Sequence, residues 1–157
     1  MHPDIEALFD DAESRYLKIE ELGILNQYVD SLPERLEAYR QLRNREVDIM
    51  QPIADELEAA MPTMSQDNLE RSLKNAILLL RYCAMAMLLN DETFVRNRLL
   101  NWVEKAAQAY NTRPIDNLLY PMLERKLEQV LTAQQMGFLK PPLTLAKNAL
   151  LNPASVS

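Results

Sequence analysis

The chain has 157 residues, nearly half of them apolar and a quarter charged, with two glycines, one cysteine and one histidine. That length reads as one domain able to bury a core without staples. A single cysteine excludes an internal disulfide and fits a reducing compartment, and the net charge of −6 argues against a nucleic-acid partner, whose phosphates need a basic face.

No segment alternates cleanly between apolar and polar, so no strand is expected. Ile5, Leu8, Phe9, Ala12 and Tyr16 recur at helical spacing and give an amphipathic first helix. A second carries Leu22, Leu25, Tyr28 and Val29. Ser31-Leu-Pro-Glu34 then has the form of a helix start, with a capping serine, a proline in the first turn and a glutamate three residues on. The helix that follows shows Leu36, Tyr39, Leu42, Ile49, Ile53 and Leu57, with Pro52 expected to kink it. Met61-Pro62-Thr63 is a break. A long helix is expected from Ser65 or Asp67 to Leu89, apolar on nearly every face in its second half and so surrounded by protein. Asn90-Asp91 ends it, and Asp91 caps a helix whose inward residues are Phe94, Leu99, Trp102, Val103 and Ala106. Thr112-Arg-Pro-Ile115 opens another, carrying Leu118, Leu119, Met122, Leu127 and Val130. Thr132-Ala-Gln-Gln135 is a capping box, Pro141-Pro142 a rigid joint, and Leu143 to Leu151 a last short helix.

The acidic start MHPDIEALFDD is unlike a signal peptide. Asn75 to Leu89, the longest apolar stretch, is interrupted by Arg81 and falls short of the roughly 20 residues a membrane span needs. A soluble, cytoplasmic protein is the expectation. Catalytic chemistry finds little to work with. His2 is the only histidine and sits at the chain end, so no Ser-His-Asp set and no histidine metal cluster can form; Gly23 and Gly137 make no phosphate loop. Axial ligation of a haem would fall to His2, Cys83, a tyrosine or a methionine, and none is marked out; Met85 and Met87 read as core filler. Cys83 lies in the most apolar stretch and reads as a small buried residue. The charge runs Glu34 to Glu46 and Glu124 to Glu128 hold opposite signs at helical spacing and read as solvated faces.

Asp11-Ala-Glu-Ser-Arg-Tyr-Leu17 resembles the opening of phycobiliprotein subunits. The resemblance, to the allophycocyanin type, runs on through Glu21-Leu22, Tyr28-Val29, Arg35-Leu36 and Asp55 to Pro62. It resumes at Leu80-Arg81, Leu89-Asn90-Asp91 and Pro114-Ile-Asp116. It implies an all-α, globin-like (phycocyanin-like) domain with two additional N-terminal helices. The whole chain, 1–157, would be one phycobilisome-like globin domain, with 1–30 an extension used for subunit pairing and 31–151 the globin-like body.

Measured from Arg81, the family's pigment-bearing cysteine falls at Ser72, its propionate-pairing arginine at Lys74, and its bilin-binding aspartate at Asn75. Serine forms no thioether, and asparagine lacks the charge to match a protonated tetrapyrrole. The resemblance therefore implies a member without a covalent bilin and without a cofactor, near the bilin-biosynthesis-associated globins of cyanobacteria. It would be a non-enzymatic, protein-binding accessory to tetrapyrrole supply. Alternatives are a structural, assembly or turnover factor of the phycobilisome, and a transient non-covalent tetrapyrrole carrier using a remnant pocket of Ser72, Asn75 and Ile77 to Arg81. By the same resemblance the N-terminal helices clasp a second subunit. The expected interface is Ile5, Leu8, Phe9, Asp11, Arg15 and Tyr16, with a homodimer as product and a tetrapyrrole enzyme or phycobilisome component as further partner.

Overall fold

A computed structural model describes residues 2–99 and 112–151. Among these residues there are helices and turns but no strand. The helices are α1 (Pro3–Ala12), α2 (Ile19–Asn44), α3 (Glu46–Ala60), α4 (Gln66–Leu89), α5 (Glu92–Leu99), α6 (Arg113–Val130) and α7 (Ala133–Leu151).

The long helix α4 is the axis of the body and packs against α2, α3, α5, α6 and α7. Its start and stop follow local chemistry. Ser65 Oγ accepts from the Asn68 N–H, and Asn90 adopts the left-handed conformation (φ 49°, ψ 47°) that lets the chain turn away. Leu79, Leu80, Cys83, Ala84, Ala86 and Met87 are all buried in the core. They meet Ile49, Ile53 and Leu57 of α3, Ile115, Leu119 and Leu123 of α6, and Leu139 and Leu143 of α7 in one cluster. By length and hydropathy α4 as a whole would suffice to cross a membrane, beyond what the stretch Asn75 to Leu89 suggests, but here it is the core helix. Asp91 caps α5 by accepting from the Thr93 N–H at 3.1 Å. Thr132 and Gln135 exchange both bonds of the capping box, each at 3.1 Å.

Several expected boundaries move. Ser31-Leu-Pro-Glu34 starts no helix; α2 runs through it with Pro33 inside. Ser31 Oγ donates back to the Tyr28 carbonyl at 2.8 Å and accepts from Arg35 Nε at 2.8 Å, so the serine serves the helix interior instead of a new end. Residues 30 and 31 therefore sit within a single helix. The helix expected from Leu36 to Leu57 breaks at Arg45 (φ −112°, ψ 17°), while Pro52 lies inside α3. Pro141-Pro142 is no joint either: α7 passes through both. Tertiary burial of Leu139, Pro142, Leu143 and Ala146 holds that helix together against the hydrogen bonds that the prolines cannot donate. Leu118, expected inside, is 40% exposed, and Tyr120 and Leu123 take the inward face of α6 instead. Trp102, Val103 and Ala106 lie outside the described residues.

Three polar side chains bind the carboxyl end of α4. Arg35 Nη1 donates to the Met87 carbonyl at 2.6 Å, Tyr28 Oη donates to the Leu88 carbonyl at 3.1 Å, and His2 Nε2 lies 2.7 Å from the Asn90 amide. Carbonyls at a helix end lack intrahelical donors and carry partial negative charge, so a cation suits the place. The Arg35 guanidinium also sits 4.3 Å from the Phe138 ring centroid, tying α2 to α7. His2 is no fraying residue: it is buried, caps α1 and meets the Tyr28 ring edge-on at 5.1 Å.

Candidate functional site

Ser72 and Asn75, three residues apart in the first half of α4, share a face, and Lys74 points away from it. Ser72 is wholly buried, Asn75 half-buried and Lys74 exposed. The Ser72 hydroxyl faces the carboxyl of Asp116 on α6, close enough to favour its ionised form yet outside hydrogen-bond geometry. Thr112 Oγ1 donates to Asp116 Oδ2 at 3.0 Å. Burial nevertheless pushes the Asp116 carboxyl above its ordinary value, outweighing the help of Ser72, Thr112 and Arg113. One turn on, Tyr120 is buried with its hydroxyl unpartnered among the described residues, and burial with the nearby Asp116 charge drives its phenol up. Ser72, Asp116 and Tyr120 thus lie in a packed polar seam between α4 and α6.

Cys83 offers no second anchor. It has no exposure, its thiol donates to the Pro142 carbonyl at 3.5 Å, and burial pushes the thiol far up. The thiolate is the reactive form. Iodoacetamide at neutral pH should therefore leave the native chain unlabelled and modify it only after denaturation. Rapid native labelling, read by mass spectrometry, would show Cys83 to be accessible.

The remnant pocket does not assemble as expected. Arg81 lies nine residues beyond Ser72, two and a half turns of helix, and so on the opposite side of α4. There it lines a separate groove with a cavity of about 410 Å³, closed by Tyr39 and Leu42 of α2 and Phe94 of α5. Leu78, Tyr82 and Met85 of α4 form its floor, and Arg43 and Glu46 stand at its rim. Arg81 makes a two-pronged ion pair with Glu46, at 2.8 and 2.9 Å. Arg43, which the sequence places in a solvated run, has no ion-pair partner among the described residues.

The N-terminal residues are divided between inside and outside. Ile5 and Leu8 are covered by the chain's own fold, whereas Phe9 is 51% exposed and Tyr16, beyond the end of α1, is 98% exposed. Arg15 bonds both oxygens of Glu21, at 2.7 and 2.9 Å, and reaches Asp11 at 3.4 Å. The guanidinium, with the Lys18 N–H, holds the Glu21 carboxyl down to about 2. Asp11 and Arg15 thus brace the α1–α2 turn within the chain. A further apolar row runs along α2: Leu22, Val29 and Leu36 are spaced seven residues apart and are 40% exposed or more. Leu25 and Leu32, between them, are half-buried.

Sequence reasoning missed Arg35, assigned to a solvated run, and the burial of Asp116 near Tyr120. The second had a legible signal, since Thr112, Asp116 and Tyr120 recur every four residues on one helix face.

This helical body belongs to a class of globin-like proteins built around a long central helix. The family model for phycobilisome protein matches residues 9–150, and the chain belongs to that family. Among curated proteins, none matches the chain. Membership gives a phycobiliprotein-like role as the functional class.

Proposed function

We propose that this chain is a pigment-free phycobiliprotein-like globin that acts through protein contacts, without catalysis, as an accessory or regulator of bilin and wider tetrapyrrole biosynthesis. One observation carries the reading. At the position where the resemblance puts the pigment's sulfur, the side chain is a buried serine packed against Asp116, and the only cysteine is sealed in the core. Neither residue supplies a thioether. Purified after co-expression with a phycocyanobilin-producing system, the protein should be colourless in acidic urea, and colour that stays with the polypeptide would refute the reading. Captured from a cyanobacterial lysate, it should bring down enzymes of tetrapyrrole supply. Recovery of rod and core components in their place would favour a role in phycobilisome assembly or turnover.

Pairing of two copies is part of this proposal. It is supported by the exposed apolar surface of Phe9, Tyr16, Leu22, Val29 and Leu36, which a soluble helix covers with a partner. Light scattering over a concentration series should show a dimer, and Phe9→Asp with Val29→Asp should weaken it at least tenfold. A wild-type chain that stays monomeric throughout would remove the pairing.

A second reading, a transient carrier of free tetrapyrrole, is favoured by the groove alone, whose aromatic wall and Arg43 suit a flat apolar body with a carboxylate. Titration with biliverdin and protoporphyrin decides it: a saturable red shift supports a carrier, and flat titrations end that reading.

A further inference from the structure

We propose that the groove between α2, α4 and α5 is a binding site for one linear amphiphile with a single carboxylate, of the class of a medium-chain fatty acid anion. The assignment concerns the groove alone. It stands or falls apart from the pairing and the accessory role proposed above, and it rivals only the tetrapyrrole-carrier reading.

The shape of the groove selects a chain. Leu78, Tyr82 and Met85 form the floor and recur at i, i+4 and i+7, a single row on one face of α4. Seven residues of helix make that row an apolar strip about 10 Å long and one side chain wide. Leu42 and Phe94 wall it, and the Tyr82 and Phe94 rings meet edge-on at 6.0 Å. The cavity of about 410 Å³ has the size of a small-molecule site. An alkyl chain can cover such a strip along its whole length. An extended peptide fits poorly: the walls are helices whose backbone groups are bonded within themselves, so its amides would lose water and gain no partner.

The charges select the head group. Glu46 holds Arg81 through two bonds, at 2.8 and 2.9 Å, and that pair is neutral as a unit. Glu46 is also the only acid within four residues of Arg43 along the chain. Its oxygens are taken, which leaves the exposed Arg43 guanidinium without an ion pair among the described residues. Tyr39, one turn before Arg43, lines the same end close to Arg81 and has a hydroxyl to donate. Arg98 stacks on the Phe94 ring, 5.4 Å from its centroid, and does not line the groove. One uncompensated cation therefore stands at the rim. It matches one carboxylate, whereas the second carboxylate of a free tetrapyrrole would meet only the neutralised pair. The ligand's head lies at Arg43 and Tyr39, and its chain over Leu78, Tyr82 and Met85.

Equilibrium dialysis of the full chain against radiolabelled dodecanoate, below its micellar range, tests the site. Uptake should saturate at one molecule per chain, with a dissociation constant on the order of 10–100 μM. Dodecan-1-ol, the same chain without the charge, should bind about fivefold more weakly, the scale of one exposed ion pair, and dodecyltrimethylammonium more weakly still. Arg43→Gln should keep the helical circular dichroism of the wild type. It should weaken dodecanoate by the same factor and leave dodecan-1-ol unchanged. Uptake that never saturates, or dodecanoate binding indifferent to Arg43→Gln, would overturn the site. Biliverdin binding weakened by Arg43→Gln, with no saturable uptake of dodecanoate, would give the groove to the carrier reading. Dodecanoate uptake seen only as light scattering shows pairs of chains falling apart would give it to a second copy. Either of these results also overturns the assignment.

Discussion

An Arg35→Ala variant should lose about 3 kcal/mol of stability, from two charge-assisted hydrogen bonds and one cation–π contact removed together. Arg35 is 8% exposed and has no carboxylate partner among the described residues; its partners are Ser31 Oγ, the Met87 carbonyl and the Phe138 ring. Burial lowers the guanidinium's hold on its proton, yet arginine stays charged in proteins. The charge is accommodated because it faces the negative end of α4. Truncation leaves the Met87 carbonyl with only the Asn90 N–H, at 3.2 Å, and opens a gap beneath Phe138. Arg35→Lys should recover only part of the loss, because an ammonium cannot both donate to Ser31 and lie flat on the ring. Urea unfolding followed by far-ultraviolet circular dichroism measures both variants, and a loss below about 1 kcal/mol, the worth of a single ordinary hydrogen bond, would show that the guanidinium does not anchor the α2–α4–α7 junction.

Asp116→Asn should stabilise the chain at neutral pH by about 1–3 kcal/mol, the scale of a buried group relieved of poorly compensated polarity. The sign follows from the direction of the shift. Burial raises the folded-state value of this carboxyl, so the folded chain binds that proton more tightly than the unfolded one. The group's stabilising contribution is then complete below the ordinary carboxylate range and is lost as pH rises through the raised value. Asparagine keeps an oxygen for the Thr112 hydroxyl and does not titrate. Urea midpoints taken from mildly acidic to neutral pH should fall for the wild type relative to Asp116→Asn, the gap widening as pH rises. A constant gap would mean that Asp116 does not titrate in that window. Tyr120→Phe is a companion: deleting a hydroxyl that lacks a partner should be neutral or stabilising, and a loss above about 1 kcal/mol would reveal a hydrogen bond there.

The parts of this protein legible in the sequence are those fixed by a few neighbouring residues. Ser65 and Asn90 at the two ends of α4, Asp91 before α5 and the Thr132–Gln135 box all act through bonds spanning one turn. The apolar density of Leu79 to Met87 likewise announces a helix enclosed by others, whatever the others are. The same holds for the family resemblance, since order and spacing of short motifs survive in a linear string. Proline misled because its local effect is real but small beside burial: Pro33, Pro141 and Pro142 each lack a donor, and the packed faces around them keep the helices continuous.

What the sequence determined by itself is an all-helical globin-like chain with a single cysteine set in its most apolar stretch. The tertiary structure alone decided which polar groups are shut away and which meet. Arg35 in a run of charges, His2 at the chain end and Ser72 among the polar residues that begin α4 look equally wet in one dimension. Their burial depends on helices brought together from distant parts of the chain, by contacts that no local pattern encodes. For the same reason the apolar stripe of α1 divided, Ile5 and Leu8 turning inward and Phe9 outward, because the side of a helix that becomes interior is chosen by what packs against it.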